Sequence, residues 1–121
     1  MNADVPLRCR RVLDALQTLR VAPMPSEYDL HDRVAECLRN ASIPYAHEAV
    51  LAPRRRIDFV CGGIGIEIKR GKPVRSRLCD QLSAYAASPA LDAVIVLVER
   101  NVTLPCSLCG KPVHVLSLNR L

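Results

Sequence analysis

The sequence predicts an α/β fold with a mixed central β-sheet, mostly buried between flanking helices. The run "DAVIVLVE" (92–99) is a nearly continuous β-branched stretch, typical of a central strand that is buried on both faces. The runs "RIDFVC" and "IGIEIKR" meet at Gly62-Gly63, which predicts a β-hairpin. Three further segments carry apolar residues at helical spacing, so the predicted element order is α-α-β-β-β-α-β-β.

The helices are predicted from apolar periodicity and from their end signals. Segment 6–20 has Val or Leu at positions 12, 13, 16 and 19, and the prolines of "VAPMP" (21–25) end it. Ser26 is a candidate N-cap for a second helix that runs to about Asn40. Segment 73–88 predicts a third helix that starts at Val74 or Arg75 and ends before Pro89.

The remaining strands and the domain organisation follow from shorter signals. One strand is predicted near 46–51, closed by Pro53, and a last strand in "KPVHVLSL" (111–118). A chain of 121 residues suggests one compact domain, 1–121, with 1–25 as an N-terminal helical extension.

Composition favours a cytoplasmic protein with no membrane partner. The chain lacks an apolar run of the roughly 18 to 20 residues that span a bilayer, and its start lacks the apolar stretch of a signal peptide. The 17 Lys plus Arg against 12 Asp plus Glu give a net charge of +5, which is compatible with a nucleic-acid partner. Basic clusters lie at 8–11, 54–56 and 69–77.

The glycine turn sets a specific register between the two hairpin strands. If Gly62 and Gly63 are the two central turn residues, Asp58 lies directly opposite Glu67, whereas a three-residue loop would break this register. Alternation then places Asp58, Glu67 and Lys69 on one face of the hairpin. The other face is predicted to carry the apolar side chains of Ile57, Phe59, Cys61, Ile64, Ile66 and Ile68.

Two opposed carboxylates repel each other, and this repulsion needs an explanation. A divalent cation between Asp58 and Glu67 would remove it, since Mg²⁺ in proteins is commonly held by one or two carboxylates and waters. Lys69 beside such a site could orient a water or stabilise charge on a phosphate. The alternative is a salt bridge between Lys69 and either acid on a solvated strand face. The register, the apolar opposite face and the flanking arginines favour the metal site.

These residues resemble the PD-(D/E)xK nuclease superfamily, the restriction-endonuclease-like fold. Asp58, the "EIK" of Glu67-Ile68-Lys69 and the helix that follows match its elements, with Ile57 in place of the proline. Gln81 and Tyr85 in "QLSAY" are similar to the QxxxY motif of the RecB-like and lambda-exonuclease-like branch. The resemblance covers roughly 26–100.

The resemblance also implies a further acid from the helix that precedes the sheet. Glu27 is the best positional match, with Asp32, Glu36 and Glu48 as possible substitutes. The alternative for Glu27 is an acid in the first helical turn, where the helix dipole favours it.

The activity implied by the resemblance is Mg²⁺-dependent hydrolysis of DNA phosphodiester bonds, with Mn²⁺ as a possible substitute. Asp58, Glu67 and the Ile68 carbonyl would hold the metal, Lys69 would position the attacking water, and Gln81, Tyr85 and Glu27 would complete the catalytic set. Seven basic residues would contact DNA phosphates: Arg54, Arg55, Arg56, Arg70, Lys72, Arg75 and Arg77.

A homo-oligomer is expected from size alone. The alternatives are a catalytically inactive relative that binds DNA or protein, and a zinc-bearing interaction domain.

The six cysteines divide into two groups. Cys106, Cys109 and His114 have the C-x2-C-x4-H spacing of three zinc ligands, but 118–120 supply no fourth, so zinc is not expected as a cofactor. Isolated in the sequence, the other four are predicted to be small buried hydrophobic residues: Cys9, Cys37, Cys61 and Cys79.

Overall fold

The computed structural model describes residues 4–20 and 26–118 and has an α/β architecture around a six-stranded mixed sheet. The spatial order of the strands is β1-β2-β3-β4-β6-β5. The helices are α1 (Val5–Leu16), α2 (Glu27–Asn40) and α3 (Arg75–Ala86). The strands are β1 (Ala46–Ala52), β2 (Arg55–Cys61), β3 (Ile64–Lys69), β4 (Ala93–Val98), β5 (Ser107–Leu108) and β6 (Lys111–Ser117).

Local signals account for the helix ends, with one difference at α1. Ser26 caps α2 in a reciprocal capping box, because its hydroxyl accepts the Asp29 N–H while the Asp29 carboxylate accepts the Ser26 N–H. Helix α1 ends at Leu16 rather than at the predicted position 20. The N–H and the hydroxyl of Thr18 both donate to the Ala15 carbonyl, and this tighter turn replaces the next α-helical bond.

The sheet combines an antiparallel half with a parallel half. Strands β1, β2 and β3 pair antiparallel, whereas β3, β4 and β6 pair parallel. All six residues of β4 are buried, which confirms the predicted central strand. The two-residue β5, which pairs antiparallel with β6, was not predicted because two residues carry no periodicity.

The core has two parts, one on each face of the sheet. Helices α1 and α2 cover the first face, so the described part of the N-terminal extension contributes directly to the core. Helix α3 covers the second face. The first cluster includes Val12, Leu16, Leu30, Leu38, Phe59, Ile66 and Ile95. The second includes Leu78, Leu82, Tyr85, Leu91, Val96 and Val113.

Ile57 packs on the second face, so its predicted position beside Phe59 is wrong. It is buried in the α3 cluster, whereas Phe59 is buried in the α1–α2 cluster. Regular alternation is interrupted at Asp58, between these two residues, and Glu48, which lies opposite Asp58 in β1, adopts a left-handed φ of 52°. Gly65 makes room for the displaced side chain, since a Cβ there would lie 2.6 Å from Ile57 Cδ1.

Three of the four isolated cysteines have the predicted environment. Cys9, Cys37 and Cys61 are buried, and burial raises the pKa of the Cys61 thiol to about 12, which keeps it protonated and unreactive. Cys79 is half-buried on α3, so the prediction of a buried position does not hold for it. Within 4–20 and 26–118, no helix has the length and apolar character needed to cross a bilayer.

Candidate functional site

The hairpin turn has the predicted register. Gly62 and Gly63 both adopt positive φ angles, 52° and 87°, as the two central residues of a type I′ turn require. The strands pair Cys61 with Ile64, and two further pairs extend the ladder to Phe59 and Ile66. This register places Asp58 next to Glu67.

Strands β2 and β3 diverge at these two carboxylates. Their ladder ends at Phe59–Ile66, although β2 begins at Arg55 and β3 continues to Lys69. Side chains replace the missing backbone bonds. The Ile68 N–H donates to Asp58 Oδ2 at 2.8 Å, and the Asp58 N–H donates to Glu67 Oε1 at 3.3 Å. Both carboxylates therefore occupy a cleft between strands that are no longer paired, which we call the acidic cleft.

Burial disfavours negative charge in this cleft. Glu67 is 5% exposed, and burial, followed by the charge of Asp58, raises its pKa from 4.5 to about 7. Burial also raises the pKa of Asp58, although the Ile68 N–H and the charges of His31 and Lys69 oppose this shift. The pair is thus poised to release a proton or to accept a cation.

Lys69 supplies a positive charge at the open end of the cleft. Its Nζ lies 3.3 Å from Glu67 Oε2, with the Lys69 side chain 29% exposed and that of Glu67 7% exposed. The predicted ion pair between Lys69 and an acid is therefore present, but Glu67 is buried and does not lie on a solvated strand face. It leaves Asp58 without a full countercharge, because one ammonium faces two carboxylates.

Helix α2 contributes Glu27 and a histidine to the same site. His31 Nε2 lies 3.2 Å from Glu27 Oε2 and 3.8 Å from Asp58 Oδ1. Glu27 is therefore connected to Asp58 indirectly, because His31 contacts both carboxylates. The substitutes considered for Glu27 make other contacts, since Glu36 pairs with Arg33 at 3.9 Å and Glu48 with Arg56 at 3.6 Å; Asp32 is exposed on α2.

The two histidines were not found by sequence reasoning. His31 Nδ1 lies 2.8 Å from His47 Nε2, and the His47 ring stacks on Phe59 with centroids 4.6 Å apart. His47 comes from β1, so it is sixteen residues from its partner. The i, i+4 spacing of Glu27 and His31 was the available signal, because it places both side chains on one helix face.

Gln81 and Tyr85 fix the cleft from the other face of the sheet. Gln81 Nε2 donates to the Tyr85 hydroxyl at 2.9 Å, which in turn donates to the Arg56 carbonyl at 2.7 Å. Tyr85 is 2% exposed, and burial raises its pKa, as do the charges of Glu67 and Asp58. The pair attaches α3 to β2 where that strand leaves β3, and the buried Tyr85 hydroxyl lies next to Glu67.

The predicted DNA-binding residues form two exposed groups on either side of the cleft. Arg54, Arg55 and Arg56 lie at the β1–β2 turn. Arg70 and the cations near the start of α3 form the second group. Within this group, Arg75 Nε donates to the Thr103 carbonyl at 2.7 Å, whereas Lys72 and Arg77 are exposed to solvent.

The three candidate zinc ligands do not come together. Cys106 and Cys109 are exposed at the β5–β6 hairpin, and Cys109 Sγ lies 3.7 Å from the Ser83 carbonyl of α3. His114 alternates with Val113 and Val115, which pack on the α3 face, so its side chain points to the opposite face. In the part of the chain that is described, no three His, Cys, Asp or Glu side chains form a group able to hold a metal ion.

Comparison of the chain with protein-family models, with curated proteins and with solved structures yields no match. A functional hypothesis for this protein therefore depends on the geometry and the chemistry of the acidic cleft.

Proposed function

We propose that the protein is a Mg²⁺-dependent DNA nuclease with a restriction-endonuclease-like fold. The observation that carries this proposal is the placement of Asp58 and Glu67 where β2 and β3 separate, with Lys69 3.3 Å from Glu67. A purely structural role does not explain two recessed carboxylates, one with a pKa near 7, that share a single lysine.

The donor set of the cleft suits a hard divalent cation. Each carboxylate accepts one backbone N–H and keeps oxygen lone pairs for a cation. Mg²⁺ commonly binds one or two carboxylates and completes its shell with waters and substrate phosphates, so a third protein ligand is not required. Asp58 and Glu67 would hold the ion, together with the Ile68 carbonyl, and His31 Nε2 lies 3.8 Å from Asp58 Oδ1 at the edge of the site.

Other residues of the cleft would position the water and the phosphate during hydrolysis. A bound Mg²⁺ supplies a water of lowered pKa and withdraws charge from a phosphate oxygen. Lys69 donates hydrogen bonds to the water or to a non-bridging phosphate oxygen while its charge stays compensated by Glu67. As the water oxygen bonds to phosphorus, it gives up a proton to solvent; the bond to the leaving oxygen breaks, and that oxygen takes up a proton from solvent. Tyr85 and Gln81 keep the two strands apart throughout.

Cleavage and metal binding together test this proposal. The wild-type protein is expected to cut at least one of linear, circular or branched DNA with Mg²⁺ or Mn²⁺, and to lose cleavage but retain its fold on Asp58→Asn or Lys69→Met. Calorimetric titration with Mg²⁺ should show one site that Asp58→Asn removes. Arg33→Gln is a matched control at an exposed charge on α2. A protein that binds Mg²⁺ and DNA but cuts no form would instead be the inactive binding module.

A further inference from the structure

A groove of about 430 Å³ opens next to Lys69 on the α3 side of the acidic cleft. The groove adjoins the acidic cleft, because Lys69 lines the groove and also contacts Glu67 in the cleft. The residues that line it are Lys69, Pro73, Val74, Arg77, Leu78 and Gln81.

The groove combines positive charge with exposed apolar surface. Lys69 and Arg77 supply the charge, and Val74 leaves 57% of its surface exposed at the start of α3. Cations match a phosphate backbone, and apolar side chains match the faces of bases. In a duplex the base faces are stacked inside the helix, so only an unpaired strand offers both surfaces at once.

The recessed position of the carboxylates also favours a single strand. The Asp58 side chain is 22% exposed and that of Glu67 7% exposed, so a phosphate has to enter the recess between β2 and β3 to reach them. An unpaired backbone is narrower and more flexible than a duplex, and it can bend into such a recess.

An exposed aromatic residue lies on α2, the helix that supplies His31 to the site. The chain has three Tyr, one Phe and no Trp, all within the described residues; Tyr45 and Phe59 pack together, and Tyr85 is buried. Tyr28 alone among these described aromatic residues is strongly exposed, at 73%. It follows Glu27 directly, on the flank of α2 that also carries His31.

We propose that the substrate strand is unpaired DNA, which runs along the groove, crosses the acidic cleft and stacks one base on Tyr28. The inference rests on the proposed nuclease function and specifies its substrate class. Arg77 holds a phosphate in the groove, Val74 contacts a base face, and Tyr28 holds a base on the far side of the scissile phosphate. A stacked base contributes about 1–3 kcal/mol in single-strand binders, corresponding to roughly 5- to 150-fold in affinity.

Binding measured without cleavage tests the strand path separately from the chemistry. Fluorescence anisotropy in EDTA would compare a 12-nucleotide single strand with a blunt duplex of the same length, using the full chain. We expect the single strand to bind at least tenfold more tightly. Tyr28→Ala should weaken single-strand binding about 5- to 150-fold, and Tyr28→Phe should restore most of the affinity. Leu7→Ala is the matched control, because Leu7 is 64% exposed on α1.

A second variant examines the groove. Arg77→Gln should lower the slope of log Kd against log salt for the single strand by about 0.7, as expected for the loss of one phosphate contact. Equal or tighter binding of the duplex, binding of neither form, or a Tyr28→Ala effect no larger than that of Leu7→Ala would overturn the inference. Tyr28-dependent binding without any cleavage in Mg²⁺ would reject only the nuclease. Cleavage of duplexes regardless of Tyr28 would reject only the strand path.

Discussion

Replacing Glu67 with glutamine should remove a large pH dependence from the stability of the metal-free protein. The pKa of Glu67 rises from 4.5 in the unfolded chain to about 7 in the folded protein, because the carboxylate is buried next to Asp58. The native state therefore holds the proton more tightly. The resulting stabilisation is fully present below pH 4.5 and is lost as the pH rises through 7.

The size of this effect follows from the shift. At 1.36 kcal/mol per pKa unit, the difference between 4.5 and 7 corresponds to about 3 kcal/mol. In a domain of this size that is about 10 °C in Tm. Glutamine keeps the acceptor for the Asp58 N–H and cannot ionise. Between pH 4.5 and pH 8.5, the free energy of unfolding of the Glu67→Gln variant should therefore fall by about 3 kcal/mol less than that of the wild type.

This difference can be measured by urea denaturation in EDTA at several pH values between 4.5 and 8.5, with unfolding monitored by circular dichroism. Glu36→Gln serves as the control, since Glu36 is exposed on α2 and its stability curve should remain parallel to that of the wild type. Addition of Mg²⁺ at pH 8.5 should restore stability to the wild type and leave Glu67→Gln unchanged. Parallel curves for wild type and Glu67→Gln would refute the account of the cleft as a site of unfavourable buried charge.

Three further substitutions probe the framework of the site. Gly65→Ala should destabilise the protein by about 1–3 kcal/mol in urea denaturation, since its Cβ would lie 2.6 Å from Ile57 Cδ1; a loss below 0.5 kcal/mol would show that this side chain moves freely. Tyr85→Phe should cost about 1–2 kcal/mol, because the Arg56 carbonyl loses the donor that the buried Tyr85 supplies, and should reduce cleavage without abolishing Mg²⁺ binding; abolished binding by calorimetry would contradict a positioning role. Ser26→Ala should cost about 1 kcal/mol through loss of the α2 cap, measured by thermal denaturation, and an unchanged Tm would contradict this.

The sequence predicted those features of the fold that depend on near neighbours in the chain. The two glycines determined the hairpin register, and Ser26 marked the start of α2 to the residue. The face occupied by Ile57 could not be predicted, because the interruption of alternation at Asp58 has no signal in the local sequence. The contact between His31 and His47 joins a helix to a strand edge, and neither residue alone signals the other.

The acidic cleft shows how a sheet can accommodate two carboxylates that alternation would place side by side. A continuous ladder would bond the Ile68 N–H to the backbone of β2 and leave both acids facing each other without donors. Separation of the strands frees two backbone N–H groups, and each carboxylate accepts one of them. The same separation opens the cleft toward Lys69 and the groove. It therefore has two effects: it partly stabilises the acids, and it gives a phosphate access to them. The Tyr85 hydroxyl donates to the Arg56 carbonyl, so α3 is attached to β2 directly beside the point where the strands separate.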